Sequence, residues 1–515
     1  MKEQNKSSAI GLQNFLFIFC FLFIAMIVVR NAWMTDDAFI TLRSIDNWVN
    51  GYGLTWNVSE RVQTFTHPLW LFVLSFPYFL TREPFYTSLF INIAISIAVI
   101  FFLLNAVKHS NEKLIIITLM LALSKSFIDF STSGLENALS HLIVILFFLQ
   151  FMRSFSALDE KQFTKLALIA AFGMTNRHDL ALVFLPVLVW GVFKLGKRSL
   201  LPILIGMLPF ILWELFSLIY YGFPFPNTAY AKLNTGIGLK QLMIQGVFYF
   251  LDLLKNDPLT FLCVSLGLLL PFMAVNAKPL WLAAAGMLLY LVYIVYIGGD
   301  YMSGRFFSVP LILSVLIITH MPINISWTET SLIVLLTLIL GLTPLENSTL
   351  MLPLEGANAS ESGIINEKAF NFMGTGLITR DRFQNKPESD WVDAGLELKT
   401  QEKKTAVVGP IGMTGYYAGP GVYILDVWAL GDPLLARIQL DDVIHWRIGH
   451  FRRKIPEGYE ESILQNRNLL KNPDLKTYYD VIRLITRGEL FSPERLQAIF
   501  DINTGKYKYL NLPKM

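Results

Sequence analysis

Two adjacent acids, Asp36 and Asp37, stand just beyond the first long apolar run of the chain. A positioned carboxylate can take the proton of a hydroxyl as its oxygen attacks an electrophilic carbon. Other ionisable or polar groups interrupt the apolar sequence further on. They are Glu136 in Ser133-Gly134-Leu135-Glu136-Asn137, Arg177 and His178 in Asn176-Arg177-His178-Asp179, Asn227 and Lys232 around Pro226-Asn227-Thr228, and Asp300 and Arg305 after Gly298-Gly299. Charged side chains near a bilayer are costly and usually line a cavity. Carboxylates suit a base for an incoming hydroxyl, while Arg305, Arg177 and Lys232 suit a departing phosphate.

Each of these residues also has a structural reading. Asp36 or Asp37 can cap a helix beginning near Ala38. Glu136 can be a first-turn charge, Gly298-Gly299 a helix stop, and Arg177 an interfacial side chain with its head in water. His67, before Pro68, and His178 are structural or acceptor-binding. No metal set is legible: Cys-x-x-Cys is absent, and His445 and His450 fit neither His-x₃-His nor HExxH. The one cofactor for which the acids leave room is a divalent cation near Asp36 and Asp37.

The elements that must hold these residues follow from composition. Apolar residues make up 54% and charged residues 16%, against about 45–50% and about 25% in soluble domains. This excludes an ordinary soluble enzyme. A net charge of +3 gives no reason to expect a nucleic-acid partner. Cys20 and Cys263 lie in apolar runs, so no disulfide framework is expected. Apolar runs near 12–30, 85–107, 114–130, 137–153, 163–176, 179–194, 199–220, 258–275, 279–297, 306–321 and 329–346 read as about eleven transmembrane helices. Asn-Ala-Trp-Met after Arg30 is no cleavage site, so the first run reads as a retained span. The run 67–81 is short, carries Pro68 and Pro77, and reads as an interfacial helix within a first outer loop, 31–84. The amphipathic segment 239–257 is expected at the same interface.

With the N-terminus in the cytoplasm, Lys2, Lys6, Lys108, Lys113, Lys194, Lys197 and Arg198 fall on the inner side. Eleven crossings then place the C-terminus outside. The expected fold is an α-helical polytopic protein of a bacterial inner membrane, in contact with lipid. Residues 1–346 form the transmembrane catalytic module, and 347–515 a soluble extracytoplasmic α/β domain. In that tail TAVVGPIG (405–412) and VYILDVWALGD (422–432) read as strands, with helices near 389–400 and 459–470. Tyr416, Tyr417, Trp428, His445, Trp446 and His450 are candidates for stacking on a glycan, or for the domain core.

Several segments carry a resemblance. TDDAFITLR (35–43), GYGLTWN (51–57), ERVQTFTHPLW (60–70), SGLEN (133–137), YYGFPFPNTAYAK (220–232), GGDYMSGRFFSVP (298–310) and DVWALGDPLLAR (426–437) are together similar to GT-C-type glycosyltransferases. Within that class they resemble the terminal β-1,2-arabinofuranosyltransferases of the mycobacterial cell wall. Arg177-His178-Asp179 departs from the Arg-Pro-acid expected there. The resemblance implies a helical bundle, a polyprenyl-phosphate sugar as donor, and an Asp of the first outer loop as base, with Asp36 slightly favoured over Asp37. It implies a cell-envelope glycan or glycoprotein as acceptor and no nucleotide, in keeping with a chain that has no P-loop and no dinucleotide fingerprint. Rival readings are a transporter or flippase for lipid-linked sugars, an O-antigen polymerase or ligase, and a scaffold. The first lacks an internal repeat, the second fits poorly with the acid pair and the tail, and the third leaves the polar groups unexplained.

Overall fold

The computed structural model describes residues 2–274, 277–353, 359–379, 386–402 and 404–514, with side chains from residue 11 onward. Lys2 and Lys6 therefore lie outside the described side chains. The chain is mostly helical, and its helices follow the apolar runs.

Crossing the hydrocarbon core takes roughly 20 residues in a helix. Among the described residues, five stretches are long and apolar enough: Gly11–Arg30, Phe85–Val107, Asn137–Ser154, Leu180–Tyr220 and Lys278–Ile297. The pair Leu239–Asn256 and Pro258–Met273, bent by 114°, makes a sixth if taken as one broken span. Pro68–Thr81, Arg305–His320 and Trp327–Gly341 are apolar but shorter. Asn111–Leu123 has only 13 residues, a rise of about 20 Å against a core of about 30 Å. By length and composition the structure thus holds five or six spans where hydropathy suggests eleven runs. The difference lies in helices too short to cross alone and in the 41-residue stretch Leu180–Tyr220, which counts once here and holds two of the eleven runs.

The chain packs as two compact units. The first comprises Met1–Thr35, Phe85–Leu208 and Met243–Gln384; the second comprises Asp36–Pro84, Pro209–Leu242 and Asn385–Met515. Residues 347–384 pack in the first unit and 385–515 in the second. In the first unit Lys368 pairs with buried Asp129 at 3.0 Å and donates to Asn31. Thr35 Oγ1 donates to Glu367 there, and the Leu377 amide to the Ala32 carbonyl. These polar residues beyond 346 satisfy polar groups around the exit of the first helix, which apolar packing could not do. Close helix approach in this unit depends on Gly286, where a Cβ would sit 2.2 Å from the Val183 carbonyl oxygen.

The second unit gathers the first outer loop and most of the tail around one core. Strands Thr405–Val408 and Tyr423–Asp426 pair in parallel, with Thr405 opposite Tyr423 and Val408 opposite Asp426. The crossover between them is the short helix Gly412–Ala418. Trp56, Ile411, Ile424, Leu425, Leu434, Tyr459, Ile482 and Ile485 fill the core, each large aliphatic side chain contributing about 1.5–3 kcal/mol by burial. Arg43 of helix Asp36–Val49 donates to the carbonyls of Trp56, Gly415 and Val422. Its buried charge is thereby hydrogen-bonded, and the loop is tied to residues far along the chain.

Candidate functional site

Polar groups gather at two places, one in each unit. In the first unit, Lys278–Ile297 ends at Gly298 and Gly299, both left-handed at φ 86° and 74°. Glycine meets that backbone at little cost, and a Cβ on Gly299 would strike the Tyr249 ring at 2.6 Å. The turn delivers Asp300 and Arg305. Arg305 Nη1 lies 3.3 Å from Asp300 Oδ2 and its Nη2 lies 3.1 Å from Glu136 Oε1. Glu136 opens helix Asn137–Ser154 and makes no side-chain cap bond. Its Oε1 is also 3.6 Å from Arg177 Nη1.

Arg177 ends helix Glu160–Asn176 and grips Asp179 with a two-pronged fork, Nε to Oδ1 at 3.0 Å and Nη2 to Oδ2 at 2.6 Å. The Tyr290 hydroxyl joins both partners, and the guanidinium lies over Phe306. Two guanidinium groups therefore meet three carboxylates, all largely out of water. His178, beside this fork, is half-buried. One turn beyond Asn137, fully buried His141 has no hydrogen-bond partner for either ring nitrogen among the described residues. Its lone position on an apolar helix gave no sequence signal.

In the second unit, Asp36 and Asp37 begin helix Asp36–Val49 and have different surroundings. Asp36 is buried, and its carboxylate accepts the backbone amides of Gly412 at 3.1 Å and Met413 at 2.6 Å. Gly412 is required there, because a Cβ would lie 2.0 Å from the Asp36 carbonyl oxygen. Burial pushes the Asp36 carboxyl up to about 7, with the two amides opposing and the Asp37 charge assisting the shift. Asp37 is partly exposed. Its charge acts on His450, whose pKa burial and the Arg447 charge push down to about 4 while Asp37 opposes that shift; Lys232 acts on the same ring.

One buried arginine joins the segments of this second cluster. Arg453 donates from Nη2 to the Ala231 carbonyl, next to Lys232, and its amide donates to the Val427 carbonyl, next to Trp428. The Trp428 and His450 rings meet edge to face at 4.4 Å. His450 opens on a cavity of about 550 Å³ lined also by His445, Trp446, Arg452 and Lys454. Trp428 and Arg452 line a neighbouring one of about 300 Å³. Asp37, Lys232, Trp428 and His450 thus come together within one unit.

Other candidate residues are committed to the fold. Asn227 donates to the carbonyls of Ala429, Leu430 and Asp432 and accepts from Arg437, which uses both ends of its amide. His67 is buried with Nε2 2.7 Å from the Thr41 hydroxyl. Tyr416 shares a 2.7 Å hydroxyl contact with Tyr78, which donates to Asp46. Among the described residues no three of His, Cys, Asp and Glu come together to hold a metal ion. Asp36 faces two N–H dipoles, whose sign opposes a cation, so the residues around it do not fit the divalent ion expected there.

These features define a helical membrane protein with two buried polar centres. Its relatives are more particular. The sequence is 28% identical over 349 residues to a terminal β-(1→2)-arabinofuranosyltransferase of Corynebacterium glutamicum, covering 57% of this chain and 48% of that protein. It is 26% identical over 323 residues to the terminal β-(1→2)-arabinofuranosyltransferase of Mycobacterium tuberculosis, covering 55% of this chain and 51% of that protein. The resemblance carried by the motifs is thus a sequence relationship along more than half of the chain. The chain spans about half the length of the curated relatives it matches. No protein-family model matches the sequence.

Proposed function

We propose that the chain is a membrane glycosyltransferase that moves a single arabinofuranosyl unit from a polyprenyl phosphate to a cell-envelope glycan or glycoprotein, on the outer face of the inner membrane. The observation that carries this reading is the relationship to two arabinofuranosyltransferases. The acid pair with its cationic and aromatic neighbours supplies the chemistry.

In this reading Asp37 is the base. It is the more exposed of the two acids and its charge acts on His450, while Asp36 is buried on the amides of Gly412 and Met413. Asp36 positions its neighbour by fixing the start of the helix. The acceptor hydroxyl gives its proton to an Asp37 oxygen as its own oxygen bonds to the anomeric carbon. The bond from that carbon to the phosphate oxygen breaks, and the polyprenyl phosphate leaves with the electron pair. Lys232, in the same unit, offsets the charge that develops on it. Trp428 and Trp446 supply flat apolar faces for acceptor sugars.

A second reading of the phosphate site is favoured by Arg177, whose Nη1 makes no hydrogen bond among the described residues. There Arg177 and Arg305 hold the phosphate, and Glu136 must yield its place between them. The test is mass analysis of surface glycans from cells with the protein, without it, and with Asp37→Asn. Loss of a terminal pentose in the last two supports the proposal. Unchanged glycans in cells lacking the protein would end it.

A further inference from the structure

We infer that the C-terminal helix Pro493–Asn503 lies in the membrane surface and that the second unit is anchored to lipid through it. This goes beyond sugar transfer and does not depend on it.

The helix has two faces. Arg495, Ala498 and Ile499 point inward, while Leu496 and Phe500 are exposed on the other side, with Phe491 exposed just before the helix starts. Phe491 and Phe500 are 69% and 63% exposed. Beyond the helix come Lys506, Tyr507, Lys508 and Tyr509. Tyrosine and lysine are the residues that settle at the level of lipid headgroups.

The covering medium is identified by what the helix is tied to. Fully buried Arg495 donates to the Ile219 and Tyr220 carbonyls, the last of helix Leu200–Tyr220, and to those of Ile485 and Leu490. A helix end has carbonyls without partners inside the helix, and here one guanidinium from 275 residues away takes two of them. Asn503 holds the Gly222 carbonyl at 2.8 Å just beyond. Gly222 is left-handed at φ 84°, and a Cβ there would lie 2.2 Å from Ile485, so the loop and the C-terminal helices are in tight contact.

Helix Leu200–Tyr220 belongs to an apolar stretch long enough to cross a membrane, and it exposes Leu212, Leu215, Phe216 and Ile219. That apolar strip runs to the helix end that Arg495 clasps, so helix Pro493–Asn503 is held at the end of the strip. A bilayer that wets the strip continues onto the helix. A helix with one apolar face and flanking polar groups lies in the headgroup boundary.

The experiment places nitroxide labels at Phe491→Cys, Phe500→Cys and, as a control on a solvated surface, Lys471→Cys, in full-length protein in lipid nanodiscs. The natural thiols Cys20 and Cys263 are buried. Leu496→Cys replaces either phenylalanine variant that does not fold. The inference expects labels at 491 and 500 to relax with oxygen and to lose collision with a soluble nickel chelate, while the label at 471 does the reverse. Equal nickel collision at all three sites would overturn it. Shielding of 491 and 500 from both reagents would overturn it too, by showing that a protein surface covers the face. Neither result bears on sugar transfer, which the glycan analysis reads separately.

Discussion

The two polar centres differ in how they settle their charge. In the first unit Arg177 and Arg305 are ion-paired with Glu136, Asp179 and Asp300 inside the protein, with Arg177 Nη1 left without a hydrogen bond among the described residues. In the second, His450 and Trp428 meet edge to face and line neighbouring cavities, and the charges of Asp37 and Lys232 act on the His450 ring. A closed network fixes the ends of helices and leaves little to offer a ligand. A centre open to a cavity keeps its charge available. Ionisable groups near a membrane thus divide into those paired inside the protein and those that stand beside a cavity. Residue type alone does not tell them apart.

The largest expected effect separates the two acids of the open centre. Asp37→Asn should lower the transfer rate by about 10²–10⁴-fold with an unchanged unfolding midpoint. Asp36→Asn should lose stability as well, by about 1–3 kcal/mol, because an amide nitrogen would face the N–H of Gly412 or Met413. Parallel rate and melting measurements in detergent check this. Full activity in Asp37→Asn, at matched membrane level, would remove that acid from the chemistry.

Next comes the closed centre. Glu136→Gln should cost about 3–5 kcal/mol in stability, since it removes the anion between two buried guanidinium groups. Arg305→Lys sharpens the contrast. It keeps the charge and loses the fork. A lower midpoint with an unchanged donor KM marks a frame. A raised donor KM at an unchanged midpoint would move the phosphate to this unit.

A smaller effect is expected at the aromatic wall. Trp428→Ala should raise the acceptor KM roughly three- to tenfold, the size of one ring contact, with little change in donor KM. Acceptor titrations read this directly.

The smallest effect is on pH. Burial is the leading cause that pushes the carboxyls of Asp36, Asp426 and Asp432 up to about 7. Their unfolded values are near 4, so between about pH 4 and 7 the folded chain binds more protons than the unfolded one. Stability therefore falls as pH rises through that window. His450 works in the opposite sense below its unfolded value of about 6.5, so the clean comparison is pH 8 against pH 6.5. The midpoint should be higher at pH 6.5, and Asp432→Asn should weaken the difference.

Much of this was legible in the sequence because bilayers and polar groups leave strong local marks. The apolar runs are helices, the glycines after Ile297 make a left-handed turn, and Thr405–Val408 and Tyr423–Asp426 are strands where the apolar runs lie. What was not legible depended on distance along the chain. Hydropathy cannot show that Lys368 completes a network with Asp129, or that Asn227 is spent on three carbonyls of a loop about 200 residues later. The one signal that could have found the partner of Asp36 was Gly412 in an apolar run, and a glycine has many uses.

The clasp between Asp36 and the amides of Gly412 and Met413 has a consequence for biogenesis. The acid is made 376 residues before its first partner. At about 5–20 residues per second, it waits on the order of 20–75 s during synthesis, with the start of its helix unfixed throughout. A polypeptide interrupted anywhere before residue 412 would insert its early helices and yet hold no ordered acid pair. Order at the acid pair is thus deferred until late in translation, and a truncated product left in the membrane would hold that pair unfixed.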